Sequence, residues 1–234
     1  MFVKADVSKI EEANHAKLRS TIEFPNPVVT LAEGIVAVGG KLDVGTLYHA
    51  YRLGIFPWPQ PKVPMLWFCP DQRGVLFFEK YRRPKSFQRF LKKKKSLYQL
   101  SWNQNFQGVI EGCQKQIRRD QPGTWILPSM KKAYLDFHRA GFAQSIECSR
   151  EGKLVAGLYG VFVEGVFSGE SMFHTEDNTS KLCLDYAVET LAAEGIKWMD
   201  IQMVTPLLKA FGGELIPRQQ YLRLLHKVQS LKIV

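Results

Sequence analysis

Residues 143–168 read AQSIECSREGKLVAGLYGVFVEGVFS. Three runs in this stretch, Ala143–Cys148, Lys153–Val163 and Gly165–Ser168, predict strands, because short apolar runs bounded by turn signals suit a sheet. Glu164-Gly165 supplies a two-residue turn and makes the last two a hairpin. Downstream, Thr179–Ala193 predicts a helix stopped by Gly195. KWMDIQM at Lys197–Met203 reads as a further strand. Pro217 suits the first position of a helix through Tyr221, Leu222 and Leu225. Upstream, helical patterns run from Phe106 to Arg118 and from Met130 to Arg139, the second followed by Gly141. Asp43 predicts the N-cap of a helix through Leu47, Ala50 and Tyr51 that ends at Gly54. Hairpin, helix, strand, helix is the order of a mixed lobe, α/β or α+β.

Between the Asp43 helix and this lobe lies FPWPQPKVPMLWFCP, Phe56–Pro70, with five prolines and four Trp or Phe. Prolines at this density exclude helix and interior strand. The aromatic content demands burial, so an ordered irregular loop is expected. The chain accordingly divides soon after it, into a small N-terminal domain over residues 1–73 and a larger one over residues 74–234. At 234 residues, with 45% hydrophobic and 23% charged residues, the whole can bury a core and is not disordered. No apolar run is long enough to span a membrane, and MFVKADVSKIEEANHAK at the start has no secretory h-region. Cys69, Cys113, Cys148 and Cys183 are far apart in sequence, with no CxxC or Cys/His spacing. Zinc and disulfide frameworks are therefore not expected, and reduced, buried thiols in a cytoplasmic protein are.

The net charge of +10 raises the expectation of a polyanionic partner. Lys80–Lys95 holds nine basic residues and no acid. Within it, Phe87, Phe90 and Leu91 form an i, i+3, i+4 stripe, so an amphipathic helix would expose Arg89 and Lys92, Lys93, Lys94 and Lys95. Such a face can contact a phosphate backbone, or it can be a merely solvated helix end. Four polar residues interrupt apolar strands: Glu147, Glu170, Asp200 and Gln202. Asp200 and Gln202 share a strand face. An acid beside an amide can accept from its NH2 and aim its carbonyl outward at an amine nucleophile. The other reading is an ordinary exposed strand face. Glu170, between Gly169 and Ser171, could anchor a cationic group, pair internally or mark a turn. Trp58 and Trp125 are candidates for base stacking or for the core. No Ser/His/Asp or Cys/His arrangement supports covalent catalysis, and no phosphate-binding glycine motif is present.

Several stretches together resemble the bacterial leucyl/phenylalanyl-tRNA–protein transferases. They are GIVAVGGKL at Gly34–Leu42, Ala50-Tyr51, GIFPW at Gly54–Trp58, Leu66-Trp67, CPDQR at Cys69–Arg73 and GTWI at Gly123–Ile126. Ser145–Glu147, Leu158–Val161, GESMF at Gly169–Phe173, NTSK at Asn178–Lys181, Asp200–Gln202, and Ile216–Arg218 with Tyr221 complete the set. The resemblance runs through nearly the whole chain in the family's order.

The resemblance implies an aminoacyltransferase that moves Leu or Phe, less readily Met, from aminoacyl-tRNA to the α-amine of a protein beginning with Arg or Lys, feeding N-end rule degradation. It implies a GNAT-type acyltransferase-like larger domain. No cofactor, metal or membrane association is expected, and a monomer is. By the same resemblance Gln202 engages the amine and Asp200 orients Gln202. Glu170 meets the basic acceptor residue, and Trp58, Trp125 and Tyr51 hold the terminal adenosine. Leu158, Phe167, Met172 and Leu184 line the aminoacyl side-chain slot, while Arg89 and Lys92–Lys95 grip the tRNA backbone. The chain departs from the family pattern at Thr205–Ala210, where the usual His and Ser are missing, and at Trp67–Asp71, where Phe68 and Cys69 stand for Trp and Ser. Two alternatives stay open at this point. One is the same fold with another acceptor or a small peptide product, and the other is a non-catalytic basic RNA-binding module.

Overall fold

The computed structural model describes residues 18–60, 63–116 and 124–230. The readings made at residues 1–17 and at Arg118 lie outside them. The N-terminal part holds β1 (Ile35–Val38), α1 (Val44–Arg52), β2 (Phe56–Trp58) and β3 (Leu66–Phe68). As expected, Asp43 caps α1, its carboxylate accepting from the Thr46 N–H at 2.8 Å, and Gly54 follows with φ of +76°. The described parts of the Pro-rich stretch form two strands rather than an irregular loop. β2 and β3 pair antiparallel with Pro57 opposite Trp67, in the sheet order β1-β3-β2. Pro57 is tolerated because β2 is an edge strand, where a missing N–H breaks no ladder.

The larger sheet is built from β4 (Gln72–Phe77), β5 (Gln99–Trp102), β6 (Ala143–Arg150), β7 (Lys153–Val163), β8 (Val166–His174), β9 (Trp198–Gln202) and β10 (Glu214–Pro217). Its order is β10-β4-β9-β8-β7-β6-β5, antiparallel throughout except for β8 beside β9. Arg73 lies inside β4, so the larger sheet begins just before the expected boundary. The β7–β8 hairpin turns at Glu164 and Gly165, both at positive φ, as a two-residue turn requires. β8 runs on to His174, well past Ser168, which places Glu170 within a strand. Pro217 ends β10 on the sheet edge instead of opening the last helix.

α3 (Phe106–Lys115) and α4 (Pro128–Arg139) pack on one face of this sheet, and α5 (Thr179–Ala193) on the other. β7 is buried on both sides, with Tyr159, Val161 and Val163 in one apolar cluster and Ala156, Leu158 and Phe162 in the other. That is why it reads as an unbroken apolar run. The first cluster also contains Leu47, Tyr51, Phe56 and Trp67, so the N-terminal part and the sheet share one core. α2 (Lys85–Lys94) lies over the second cluster with Phe87 buried and Phe90 and Leu91 packed beside it. α6 (Pro206–Ala210) and α7 (Arg218–Ser230) close the chain. All four cysteines are free and buried. No described helix is long and apolar enough to cross a membrane.

Candidate active site

β8 and β9 are joined by a single parallel bridge, Ser168 to Asp200. Each strand then carries a bulge. In β8 the register jumps from Gly169 to Ser171 against β7, leaving Glu170 as the extra residue. In β9 it jumps from Asp200 to Gln202 against β4, leaving Ile201 unpaired. A bulge breaks the two-residue alternation and re-aims side chains. The Met203 N–H closes a three-residue turn onto the Ile201 carbonyl at 2.5 Å, and Gln202 at its centre has φ of +50°. That conformation is strained for a residue with a side chain, and such strain gathers at functional sites. Gly74 opposite permits it, because a Cβ there would meet the Met203 backbone at 2.9 Å.

The strands splay past these bulges around a cavity of about 500 Å³. One wall is apolar: Leu158, Met172, Leu184, Met199 and Ile201. The other is aromatic: Phe56, Trp58 and Trp125, with Pro57 between. Glu170, Ser171, Gln202 and Thr205 supply side-chain polarity, and Met203, Pro206 and Leu208 complete the lining. Such a mixture of apolar surface and a few convergent polar groups is the usual make-up of a ligand site.

The Gln202 amide donates from Nε2 to Glu170 Oε1 at 3.2 Å. Tyr134 donates its hydroxyl to Glu170 Oε2 at 3.2 Å, and the Tyr51 and Tyr134 hydroxyls lie 2.5 Å apart. Burial lifts the Glu170 pKa to about 7. The Asp200 charge adds to the rise, while the Tyr51 and Tyr134 hydroxyls and the Arg73 guanidinium oppose it. Both tyrosines are themselves held far above the usual phenol range, first by burial, and stay protonated donors.

Asp200 does not do what the sequence suggested. It is fully buried, lines no part of the cavity, and does not receive the Gln202 side-chain amide. The bulge turns the two side chains apart. Asp200 Oδ1 instead accepts from the Gln202 backbone N–H at 3.0 Å and from Arg73 Nε at 2.8 Å. Its Oδ2 accepts from Arg73 Nη2 at 2.6 Å, and from Tyr221 and Ser168 hydroxyls at 3.2 Å each.

A family model described as leucyl/phenylalanyl-tRNA protein transferase matches residues 75–226, and one for its N-terminal domain matches residues 40–71. The chain belongs to this transferase family. Named leucyl/phenylalanyl-tRNA–protein transferases similar to it include one from Methylococcus capsulatus, 41% identical over 90% of this chain and 89% of that one. Another, from Pseudoalteromonas atlantica, is 40% identical over 88% of each chain. Solved structures similar to it include L-PGS from Bacillus licheniformis, with TM-score 0.40 and 11% identity over 63% of this chain and 45% of that one. A GCN5-related N-acetyltransferase-like protein from Streptococcus suis matches with TM-score 0.34 and 15% identity, over 62% and 59%.

The cavity of this transferase gathers most of the expected residues but not all. Leu158, Met172 and Leu184 line it together. Phe167 does not: it is fully buried behind the wall, against Trp102 and under Gly160, because its side chain leaves β8 before the bulge. Trp58 and Trp125 line the cavity, stacked on each other at 5.5 Å and 10°. Tyr51 cannot stack on a base, since its ring is packed on Phe137 in the core and its hydroxyl bonds to Tyr134. Arg89 and Lys92–Lys95 are all exposed on and just after α2. Missed from sequence were Phe56, Met199 and Ile201 in the walls and Arg73 behind Asp200. Arg73 carried one signal, a cationic residue just before the apolar run Val75–Phe77. Among the described residues no group of three His, Cys, Asp or Glu could hold a metal.

Proposed function

We propose that this transferase moves Leu or Phe, and less readily Met, from aminoacyl-tRNA to the α-amine of proteins beginning with Arg or Lys, in the cytoplasm and in the service of N-end rule degradation. The observation that carries the reading is the Gln202–Glu170 hydrogen bond, set inside a cavity with one apolar and one aromatic wall. The aminoacyl side chain enters the apolar wall between Leu158, Met172, Leu184, Met199 and Ile201. Two methionines let that wall reshape around Leu or Phe, and an apolar slot separates similar side chains only weakly. Trp58 and Trp125 are too close to admit a base between them, so the terminal adenine stacks on the outer face of the pair.

The donor arrives as an ester, so the bond to be broken is already activated. The acceptor amine attacks the ester carbonyl carbon, an amide bond forms, and the carbon–oxygen bond to ribose breaks. The proton lost by the amine ends on the ribose oxygen. With Nε2 committed to Glu170, Gln202 offers its Oε1 to an amine N–H and aims the nitrogen lone pair at the ester. Glu170, once ionised, faces the cationic side chain of the acceptor's first residue. Asp200 acts from behind, through the Gln202 backbone. The exposed basic arc of α2 binds tRNA phosphates without reading bases, which allows donors with different anticodons.

The test mixes the purified protein with labelled Phe-tRNA and peptides beginning with Arg, Lys or Ala. Label is expected in the Arg and Lys peptides and not in the Ala peptide. Phe-tRNA bound without any transfer would leave a binding module and overturn the reading.

A further inference from the structure

Arg73 lies behind the candidate site and lines no part of the cavity. Arg73 is 1% exposed and pairs with Asp200, itself 0% exposed. Both its Nε and its Nη2 are spent on the two carboxylate oxygens, a fork matched to a carboxylate that lysine cannot reproduce. Its guanidinium lies between two rings, Phe56 and Tyr221, each centred 4.6 Å away. Phe56 belongs to the aromatic wall and packs on Trp58 edge to face. Tyr221 also donates to Asp200. The oxygen that accepts from Arg73 Nε is the same Oδ1 that accepts from the Gln202 backbone N–H.

A strained turn holds its shape only when its surroundings over-determine it. Restraints on the backbone of the turn centred on Gln202 include the Met203-to-Ile201 backbone bond, the Gly74 gap, and Asp200 Oδ1. Only the last can swing, because a carboxylate rotates about its own side-chain bonds. The Arg73 fork, joined by the Tyr221 and Ser168 hydroxyls on Oδ2, removes that freedom. A buried Asp–Arg pair adds little to stability against an apolar replacement, so its placement calls for another reason.

We infer that Arg73 is a positioning residue for aminoacyl transfer: by clamping Asp200 it fixes the backbone of Gln202 and so the aim of the amide that holds the acceptor amine. The inference rests on the reading of Gln202 given above. The same guanidinium also packs on Phe56 of the aromatic wall.

The test compares the wild type, Arg73→Lys, Gln202→Ala and the double variant, with Phe-tRNA and an Arg-initiated peptide. Arg73→Lys is expected to lower kcat by about tenfold or more while donor KM moves by less than about threefold. In the Gln202→Ala background the same substitution is expected to cost less than about threefold, because the group it positions is gone. Losses that multiply in the double variant, or an unchanged kcat, would overturn the inference, since a residue serving only the fold lowers activity regardless of Gln202. If Arg73→Lys no longer binds Phe-tRNA, Tyr221→Phe decides, removing one donor to Asp200 with the same non-additivity expected to a smaller degree. Absence of transfer by the wild type would instead count against the proposed function.

Discussion

Glu170 sits where two demands meet. Its cavity position lets it touch an acceptor, and its burial raises its pKa to about 7. Below that value it is neutral and cannot pair with an incoming cation, so transfer to Arg and Lys acceptors should rise with pH through about 7. The amine itself ionises at about 7.7–8.0, which adds a separate limb. Glu170→Gln should abolish the lower limb, keep the upper one, and raise KM for the Arg- and Lys-initiated peptides. A kcat/KM profile against pH for each acceptor checks this, and an unmoved lower limb would release Glu170 from the role. Stability carries the opposite sign. A carboxyl raised from 4.5 to about 7 in the folded state stabilises fully below 4.5, and that contribution is lost as pH rises through 7. The wild type should therefore lose more stability than Glu170→Gln between pH 5 and 8, by roughly 1–3 kcal/mol, in denaturant titrations at each pH. On the opposite wall, Trp125→Ala should remove one member of the stacked pair and raise donor KM by roughly 5- to 100-fold, with acceptor KM little changed.

At the scale of elements, the site is made by two bulges, and bulges are where the sequence stops speaking. The helices were legible: Asp43 caps α1 and Gly54 ends it, and α5 spans Thr179–Ala193 as its periodicity and Gly195 suggest. The β7–β8 hairpin was legible from Glu164-Gly165. Glu170 and Gln202 stood out as polar residues among apolar ones, but their pairing did not. Period-two alternation puts Asp200 and Gln202 on one face, and only the register jump beside Gly74 separates them. Phe167 and Tyr51 were misplaced for a related reason, since whether an aromatic residue lines a cavity or backs it depends on packing across elements. The two strands of the Pro-rich stretch escaped notice because edge position, not composition, decides whether proline fits a strand. The bulge in β9 is open to a direct test. Gly74→Ala would place a Cβ 2.9 Å from the Met203 backbone, so β9 must shift or straighten. Overpacking of this kind costs about 1–3 kcal/mol. The fall in kcat should exceed what a partly unfolded population explains, with tRNA affinity retained; a kcat that tracks the folded fraction alone would show that the bulge does not matter.

Over the whole molecule, α6 links the cavity to the basic helix. Leu208 and Pro206 of α6 line the cavity, Phe211 follows α6, and Phe87 of α2 packs on Phe211 with ring centroids 5.4 Å apart. The Arg82 side chain reaches back to the Lys209 and Ala210 carbonyls at 3.3 Å each and ties α2's leading segment to α6. On the proposed reading, an RNA end seated against Trp58 and Trp125 has its backbone held by Arg89 and Lys92–Lys95. Those side chains are exposed, and backbone phosphates would release counterions on meeting them. Replacing Lys92, Lys93, Lys94 and Lys95 with Gln should weaken tRNA binding equally for tRNAs of different sequence. It should also make the slope of log affinity against log salt shallower by about 2 or more. Because α2 buries only Phe87 and rests on Phe90 and Leu91, the four substitutions lie outside its packed stripe, and the melting temperature should barely move. Transfer to a peptide from saturating Phe-tRNA at low salt should then remain close to wild type, since neither the Gln202–Glu170 bond nor either wall is touched. A salt slope that stays put would assign the tRNA backbone to another face of this positively charged chain. A kcat that falls at saturating donor would mean that α2 shapes the cavity as well as holding the tRNA.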